Sequence, residues 1–285
     1  MADVKPFYMW AGGKSRLLAR YADVWPSGPF QRYVEPFFGG GAVFGWLQHD
    51  APLPAHLNDI NAELMGVLIA VRDDVDGFLS RVEALVRPYL ELEGKESRKA
   101  FYYAMRASYW QNPDDATLFT LMRLGFNGIW QTCADSNGLF GTPAGLLDHT
   151  KMEQVVKEPL IRQWSVALRH ASITAGDYRD MEYKREGALI YLDPPYRGSF
   201  TSYGTGFDDD AQRALVQEAV SYADQGATVL LANRVVEGDE FFETLLGDRA
   251  TFHYFDVTYT AGRRKATADG FAAKPAREFL AVLAS

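Results

Sequence analysis

Apolar positions fall along this chain in two rhythms. Short apolar runs at Arg32–Glu35, Ala55–Asn58, Ala171–Thr174, Ala188–Leu192, Thr228–Ala232, Thr251–Val257 and Glu278–Leu283 predict strands. Helical patterns lie between many of them, over Val43–His49, Asn61–Val71 and Asp208–Ala223. Such alternation predicts an α/β fold on a mostly parallel sheet. From about residue 73 to 165 the rhythm breaks. Polar helical segments at Val75–Arg87 and Glu96–Trp110 lead into a stretch with glycine and asparagine, from Leu121 through Gly145. This reads as a mostly helical insertion, 73–165, with a long loop or hairpin at about 121–145. The scaffold is then 1–72 together with 166–285.

One of these strands ends on unusual chemistry. Ala188-Leu-Ile-Tyr-Leu is apolar enough for a central strand covered on both faces. Pro194 and Pro195 cannot donate to a sheet ladder, so the strand stops at Asp193. Asp193 and Tyr196 are thereby placed on a stiff turn at a carboxyl edge, where open α/β sheets bind ligands. A carboxylate, the free carbonyl of Pro194 and an aromatic face suit a flat ring bearing an amine. The plainer reading is a proline-terminated strand with a capping Asp.

The first strand ends in a different way. Tyr33-Val-Glu-Pro-Phe-Phe-Gly-Gly-Gly-Ala-Val-Phe44 is strand, glycine turn, then apolar helix. Glycine lets a backbone turn sharply and approach a ligand closely. Asp59, at the end of the second strand, lies 20 residues after Gly39, the spacing at which an acid meets a ribose hydroxyl. The two features together point to an adenosine-type cofactor. Ala11-Gly-Gly-Lys-Ser15 contains G-K-S, but a phosphate loop needs a glycine where Tyr8 stands, and no strand precedes it. Nucleotide hydrolysis is rejected, although Lys14 can still hold a carboxylate or phosphate.

Composition bounds these readings. The 285 residues are 47% hydrophobic and 23% charged, as in a globular chain. One cysteine, Cys133, excludes an internal disulfide and a four-cysteine zinc site, and His49, His56, His149, His170 and His253 lack metal-ligand spacing. No metal is expected. No secretory segment and no run of membrane-spanning length stands out, so a cytoplasmic protein without a membrane partner is expected. The net charge of −8 weakly disfavours nucleic acid. The distribution leaves it open: Arg81, Arg87, Lys95, Arg98, Lys99 and Arg106 crowd one segment, and Arg263-Arg-Lys265 form a second cluster.

Met9-Trp-Ala-Gly-Gly-Lys14, Glu35-Pro-Phe-Phe-Gly-Gly-Gly-Ala-Val-Phe44, Asn58-Asp-Ile-Asn61, Phe126-Asn-Gly128 and Asp193-Pro-Pro-Tyr196, in this order, resemble the Dam-type, D12 class of N6-adenine DNA methyltransferases. The resemblance covers nearly the whole chain. It implies a Rossmann-like mixed sheet of the class I S-adenosylmethionine-dependent methyltransferase type, with a helical target-recognition insertion. It implies transfer of a methyl group from S-adenosylmethionine to N6 of an adenine flipped out of duplex DNA, a reaction that also serves restriction-modification. A monomer is expected.

Carried over by position, Trp10, Lys14, Phe37, Gly39, Gly41, Asp59, Asp177 and Asp193 would hold the cofactor. Asp59 would meet the ribose, and Asp177 the cofactor adenine. Asp193, Pro194 and Tyr196 would hold the target base, while Arg123, Phe126, Asn127, Gly128 and Gln131 would face DNA. The chain departs from relatives that methylate G-A-T-C at Gln131, commonly Arg, and at Met122, commonly Asn. An altered or relaxed target site is therefore expected. Ala232 replaces the usual Ser before Asn233. Two rival readings of the residues are an RNA or protein amino-methyltransferase with the same D-P-P-Y chemistry, and a non-catalytic DNA-binding regulator.

Overall fold

In the computed structural model, which describes residues 4–10, 12–48, 53–128, 130–198, 207–259, 266–267, 270–271 and 274–284, the strand-like runs form one seven-stranded sheet. In chain order the elements are α1 (Leu18–Tyr21), β1 (Arg32–Glu35), α2 (Ala42–Leu47), β2 (Ala55–Asp59), α3 (Ala62–Asp73), α4 (Val75–Glu91), α5 (Lys95–Gln111), α6 (Asp115–Leu124), α7 (Met152–Val155), α8 (Glu158–Leu168), β3 (Ala171–Ala175), β4 (Ala188–Leu192), α9 (Asp209–Asp224), β5 (Thr228–Arg234), α10 (Phe241–Leu246), β6 (Thr251–Tyr259), β7 (Ala266–Thr267), β8 (Gly270–Phe271) and β9 (Lys274–Leu283). The sheet order is β3-β2-β1-β4-β5-β9-β6, and β7 and β8 pair separately. β1 runs parallel to β2 and β4, and β4 parallel to β5, whereas β9 runs antiparallel to β5 and β6. This is the mixed, Rossmann-like sheet that the resemblance implied. Its order reverses between β1 and β4, the point at which such sheets open a crevice beyond their carboxyl ends.

Contacts gather the chain into two compact units. One comprises Met1–Arg16, Gly39–Pro52 and Asn58–Asp177; the other comprises Leu17–Phe38, Leu53–Leu57 and Tyr178–Ser285. The second has the more regular core. β4 is buried at every position, because parallel neighbours flank it and helices are needed on both faces. Val34, Ile190, Leu192, Leu215, Val229, Leu231, Phe242, Phe279 and Leu283 pack into one cluster. Each such side chain contributes about 1.5–3 kcal/mol on burial.

The first unit is mostly helical. Its helices are capped as their sequences dictate: Asn61 Oδ1 accepts from Leu64 N, Asp74 Oδ1 from Gly77 N and Asp114 Oδ1 from Thr117 N, each at 2.9–3.0 Å. Phe7, Phe44, Phe119 and Trp164 meet in its core, with Phe7 5.4 Å from Trp164 and Phe44 5.7 Å from it. Leu121–Leu124 are not loop but the last turn of α6. Of that helix's ten residues, Asp115 and Arg123 alone are not buried, so it has almost no polar face for periodicity to reveal. The loop therefore starts at Gly125, closed at its base by a bridge to Ala144. Among the described residues no helix is long and apolar enough to cross a membrane.

Candidate active site

The glycine turn is organised by a carboxylate. Asp59, buried at the end of β2, accepts from Gly39 N through Oδ2 at 2.8 Å and from Asn61 N through Oδ1 at 3.0 Å. Burial raises its pKa, and the two amide bonds oppose that shift. The Asp59 carbonyl accepts from Gly176 N at 3.0 Å, and the Gly176 carbonyl accepts from Asn58 Nδ2 at 3.0 Å. This clasp fixes half-buried Asp177 one residue further on. Gly39 has φ +49°, and a Cβ there would lie 2.8 Å from Trp10 Nε1. A Cβ on Gly40 would lie 3.0 Å from the Trp10 Cβ. The indole therefore lies against bare backbone. Tyr8 adds a third hold, its hydroxyl donating to the Gly39 carbonyl at 2.8 Å.

Trp10 also meets Trp130 at 5.8 Å, and Trp130 meets Phe140 edge-on at 5.1 Å. Lys14 is buried and donates to the Gly12 carbonyl at 3.2 Å. Its segment, Lys14–Arg16, is a single 3-10 turn with no strand before it among the described residues. Gly41, in the left-handed region at φ +63°, starts α2. Bare backbone, a buried carboxylate and an indole face fit an adenosine-type cofactor.

The D-P-P-Y turn is held by side chains. Pro195 has no N–H to donate, and its carbonyl accepts from Nε2 of the fully buried Gln212 on α9 at 2.8 Å. Tyr196 donates its hydroxyl to Glu278 Oε2 on β9 at 2.8 Å. Beyond it, Arg197 N donates to Asn233 Oδ1 at 3.2 Å, while its guanidinium pairs with Asp209 and Asp239 and lies 4.1 Å over Phe241. Asp193 is half-buried directly after β4, and Pro194 is buried. On β1, Tyr33 donates to Glu35 at 2.9 Å. Burial first, and then the Glu35 and Asp193 carboxylates, push the Tyr33 hydroxyl well above the usual phenol range. Burial does the same to Tyr191, reinforced by Asp193. Phe37 packs 4.9 Å from Tyr178 and 5.8 Å edge-on from Phe207.

Basic residues of α5 are engaged with the loop that follows α6. Arg98, Tyr102, Arg106 and Trp110 recur every fourth residue along α5 and so share one face. Arg98 donates to the Leu147 and His149 carbonyls at 3.2 and 3.0 Å, and Tyr102 to the Thr142 carbonyl at 2.8 Å. Arg106 donates to the Gly141 and Thr142 carbonyls at 2.8 and 3.0 Å, and Trp110 to the Phe140 carbonyl at 2.9 Å. Arg81 pairs with Asp115. Much of the basic cluster thus anchors protein, and the cluster at 263–265 lies outside the described residues.

Arg123 donates to the Val155 and Gln154 carbonyls at 3.0 and 2.9 Å, and burial lowers its pKa. Met122 is buried on α6. Phe126, 46% exposed, and exposed Asn127, at φ 52°, stand at the turn with the Gly128 backbone. Phe126 N bonds the Pro143 carbonyl, and the carbonyl of half-buried Gln131 accepts from Gly141 N.

Tyr8, Trp130, Gln212 and Glu278 contact residues of the sequence motifs and fall outside those motifs. Glu278 did carry a signal, a carboxylate opening an otherwise apolar strand. Gln212 and Tyr8 carried none, since their partners are distant carbonyls.

The D12 class N6 adenine-specific DNA methyltransferase profile matches residues 10–261. A type II methyltransferase of Methanocaldococcus jannaschii is 32% identical over 250 residues, covering 81% of this chain and 84% of that protein. A type II methyltransferase of Lactococcus lactis subsp. cremoris is 28% identical over 93% of this chain and 92% of its own length. A DNA adenine methylase of Haemophilus influenzae is 27% identical over 80% and 79%. This chain belongs to the D12 class N6 adenine-specific DNA methyltransferase family.

Proposed function

We propose that the chain performs its family's adenine-specific DNA methylation with S-adenosylmethionine as donor and an adenine flipped out of duplex DNA as acceptor. S-adenosylmethionine, when bound, supplies an electrophilic methyl group. Trp10, Lys14, Phe37, Gly39, Gly41, Asp59, Asp177 and Asp193 are the residues we assign to holding it. Asp59 already accepts two backbone amides. Each carboxylate oxygen has further acceptor capacity for ribose hydroxyls.

The observation that carries the acceptor assignment is the D-P-P-Y turn. It offers a carboxylate and carbonyls but no proline N–H, so it suits a group that only donates. The adenine N6 amine is such a group. It is poorly nucleophilic because its lone pair delocalises into the ring. Donation of its hydrogens to Asp193 and the Pro194 carbonyl would localise that pair and stabilise the positive charge that develops on nitrogen. Tyr196 stacks on the extruded base, since the base is out of reach inside a duplex. Exposed Phe126 suits the gap left in the stack.

Residues 73–165 are the target-recognition part and 1–72 with 166–285 the catalytic part in this reading, and the setting is the cytoplasm. Asp193→Ala removes an acceptor aimed at developing charge. Tritiated methyl incorporation into DNA should fall by about 10²–10³-fold or more, while calorimetric S-adenosylmethionine binding largely survives. Full activity in that variant would sink the mechanism. Gln131 in place of Arg suits adenine rather than guanine. Mapping methylated adenines on plasmid DNA should show sites beyond G-A-T-C; strict G-A-T-C modification defeats that part.

A further inference from the structure

Glu278 lies outside every motif that pointed to the site. It sits on β9 in register with Arg234 of β5 and Phe255 of β6, and it is 4% exposed beside the buried Phe279, Leu280 and Ala281. A carboxylate in such surroundings needs hydrogen-bond donors. One is the hydroxyl of Tyr196, 2.8 Å from Oε2.

The bond ties two parts of the chain 82 residues apart. It also completes a restraint on the ring. At the backbone end, the D-P-P-Y turn is stiffened by two prolines and by the Gln212 amide on the Pro195 carbonyl. At the far end, the phenol oxygen is tied to a strand of the sheet. A ring fixed only at its Cβ can swing its far end, whereas the bond at the hydroxyl holds the ring axis in one direction and, because a phenol O–H prefers the ring plane, favours one tilt of the face.

We propose that Glu278 is a positioning residue for methyl transfer, which holds the Tyr196 ring in the orientation that receives the target adenine. This rests on the reading that Tyr196 stacks on that base. It gives the tyrosine hydroxyl a purpose that stacking alone does not require, because phenylalanine offers the same face. Pre-set orientation acts on turnover more than on cofactor binding.

The test is a double-mutant cycle on the full chain, with methyl transfer from tritiated S-adenosylmethionine to plasmid DNA as readout. Glu278→Ala and Tyr196→Phe should each lower kcat about 10-fold with KM for S-adenosylmethionine unchanged. Glu278→Ala placed on Tyr196→Phe should cost little more. Glu278→Gln should recover most of the loss, since an amide oxygen still accepts the hydroxyl. Glu278→Leu fills the space without an acceptor and replaces the alanine variant if that one does not fold. An equal loss from Glu278→Ala with Tyr196 or Phe at that position would overturn the proposal, because Glu278 would then act independently of the hydroxyl. Tyr196→Ala separates the underlying reading: full activity there removes the stacking role, and the positioning role with it.

Discussion

The glycine turn after β1 and the proline turn after β4 have opposite polarity. Gly39 presents N–H, and the protein meets it with the carboxylate of Asp59. Pro194 and Pro195 present only carbonyls, and the protein meets the second with the amide of Gln212. One turn is held by an acid that accepts, the other by an amide that donates. The ligands proposed for them divide in the same way. The glycine turn needs groups it can approach through bare backbone, while the proline turn needs a group that brings its own hydrogens. The contrast comes from elementary residue chemistry: glycine removes a side chain, and proline removes a donor.

Three substitutions and a titration probe that contrast, in falling order of effect. Asp59→Ala strands the Gly39 and Asn61 amides in a buried place. At roughly 1–3 kcal/mol per unsatisfied group, about 2–4 kcal/mol of stability should be lost, read by urea unfolding, and S-adenosylmethionine affinity should fall with it. A loss under about 1 kcal/mol would show that water satisfies those amides. Gly39→Ala forces a left-handed residue and drives a Cβ toward Trp10 Nε1. We expect roughly 1–3 kcal/mol of strain and weaker cofactor binding, while the D-P-P-Y turn, which lacks this glycine, is untouched.

Gln212→Ala should cost about 1–2 kcal/mol and should lower kcat rather than cofactor affinity. An affinity loss equal to that of Asp59→Ala would erase the distinction between the turns. The smallest effect is a pH slope. Burial raises the Asp59 pKa above its ordinary 3.8, so just above that pH the folded state retains a proton that the unfolded chain has released. Stability from this group is therefore present at low pH and declines as pH rises through the raised value. The stability difference between wild type and Asp59→Asn should shrink from pH 4 upward; a flat difference would mean that the amide bonds cancel the burial.

Much of this was legible in the sequence where a residue's chemistry is local. Pro194 had to stop a strand, and β4 ends at Leu192. The glycines had to turn, and the strand and helix runs at 32–35, 61–71 and 188–192 formed close to where apolar spacing put them. What stayed hidden was every restraint whose partner is a backbone carbonyl. Arg98 and Arg106 read as part of a basic patch, and the resemblance set Arg123 toward DNA, because an arginine donating to a peptide oxygen looks, in sequence, like one donating to DNA. α6 was hidden for a related reason: a helix buried almost all round offers no periodicity.

In the proposed reading, where residues 73–165 recognise the target, the row of donors along α5 has a consequence for how specificity can change. These bonds to residues 140–149 end on carbonyl oxygens, which each of the twenty amino acids supplies. The scaffold therefore grips the path of the loop and not its side chains. Substitution at exposed loop positions leaves those grips intact, so new target sequences can be tried on a frame that does not need redesign each time.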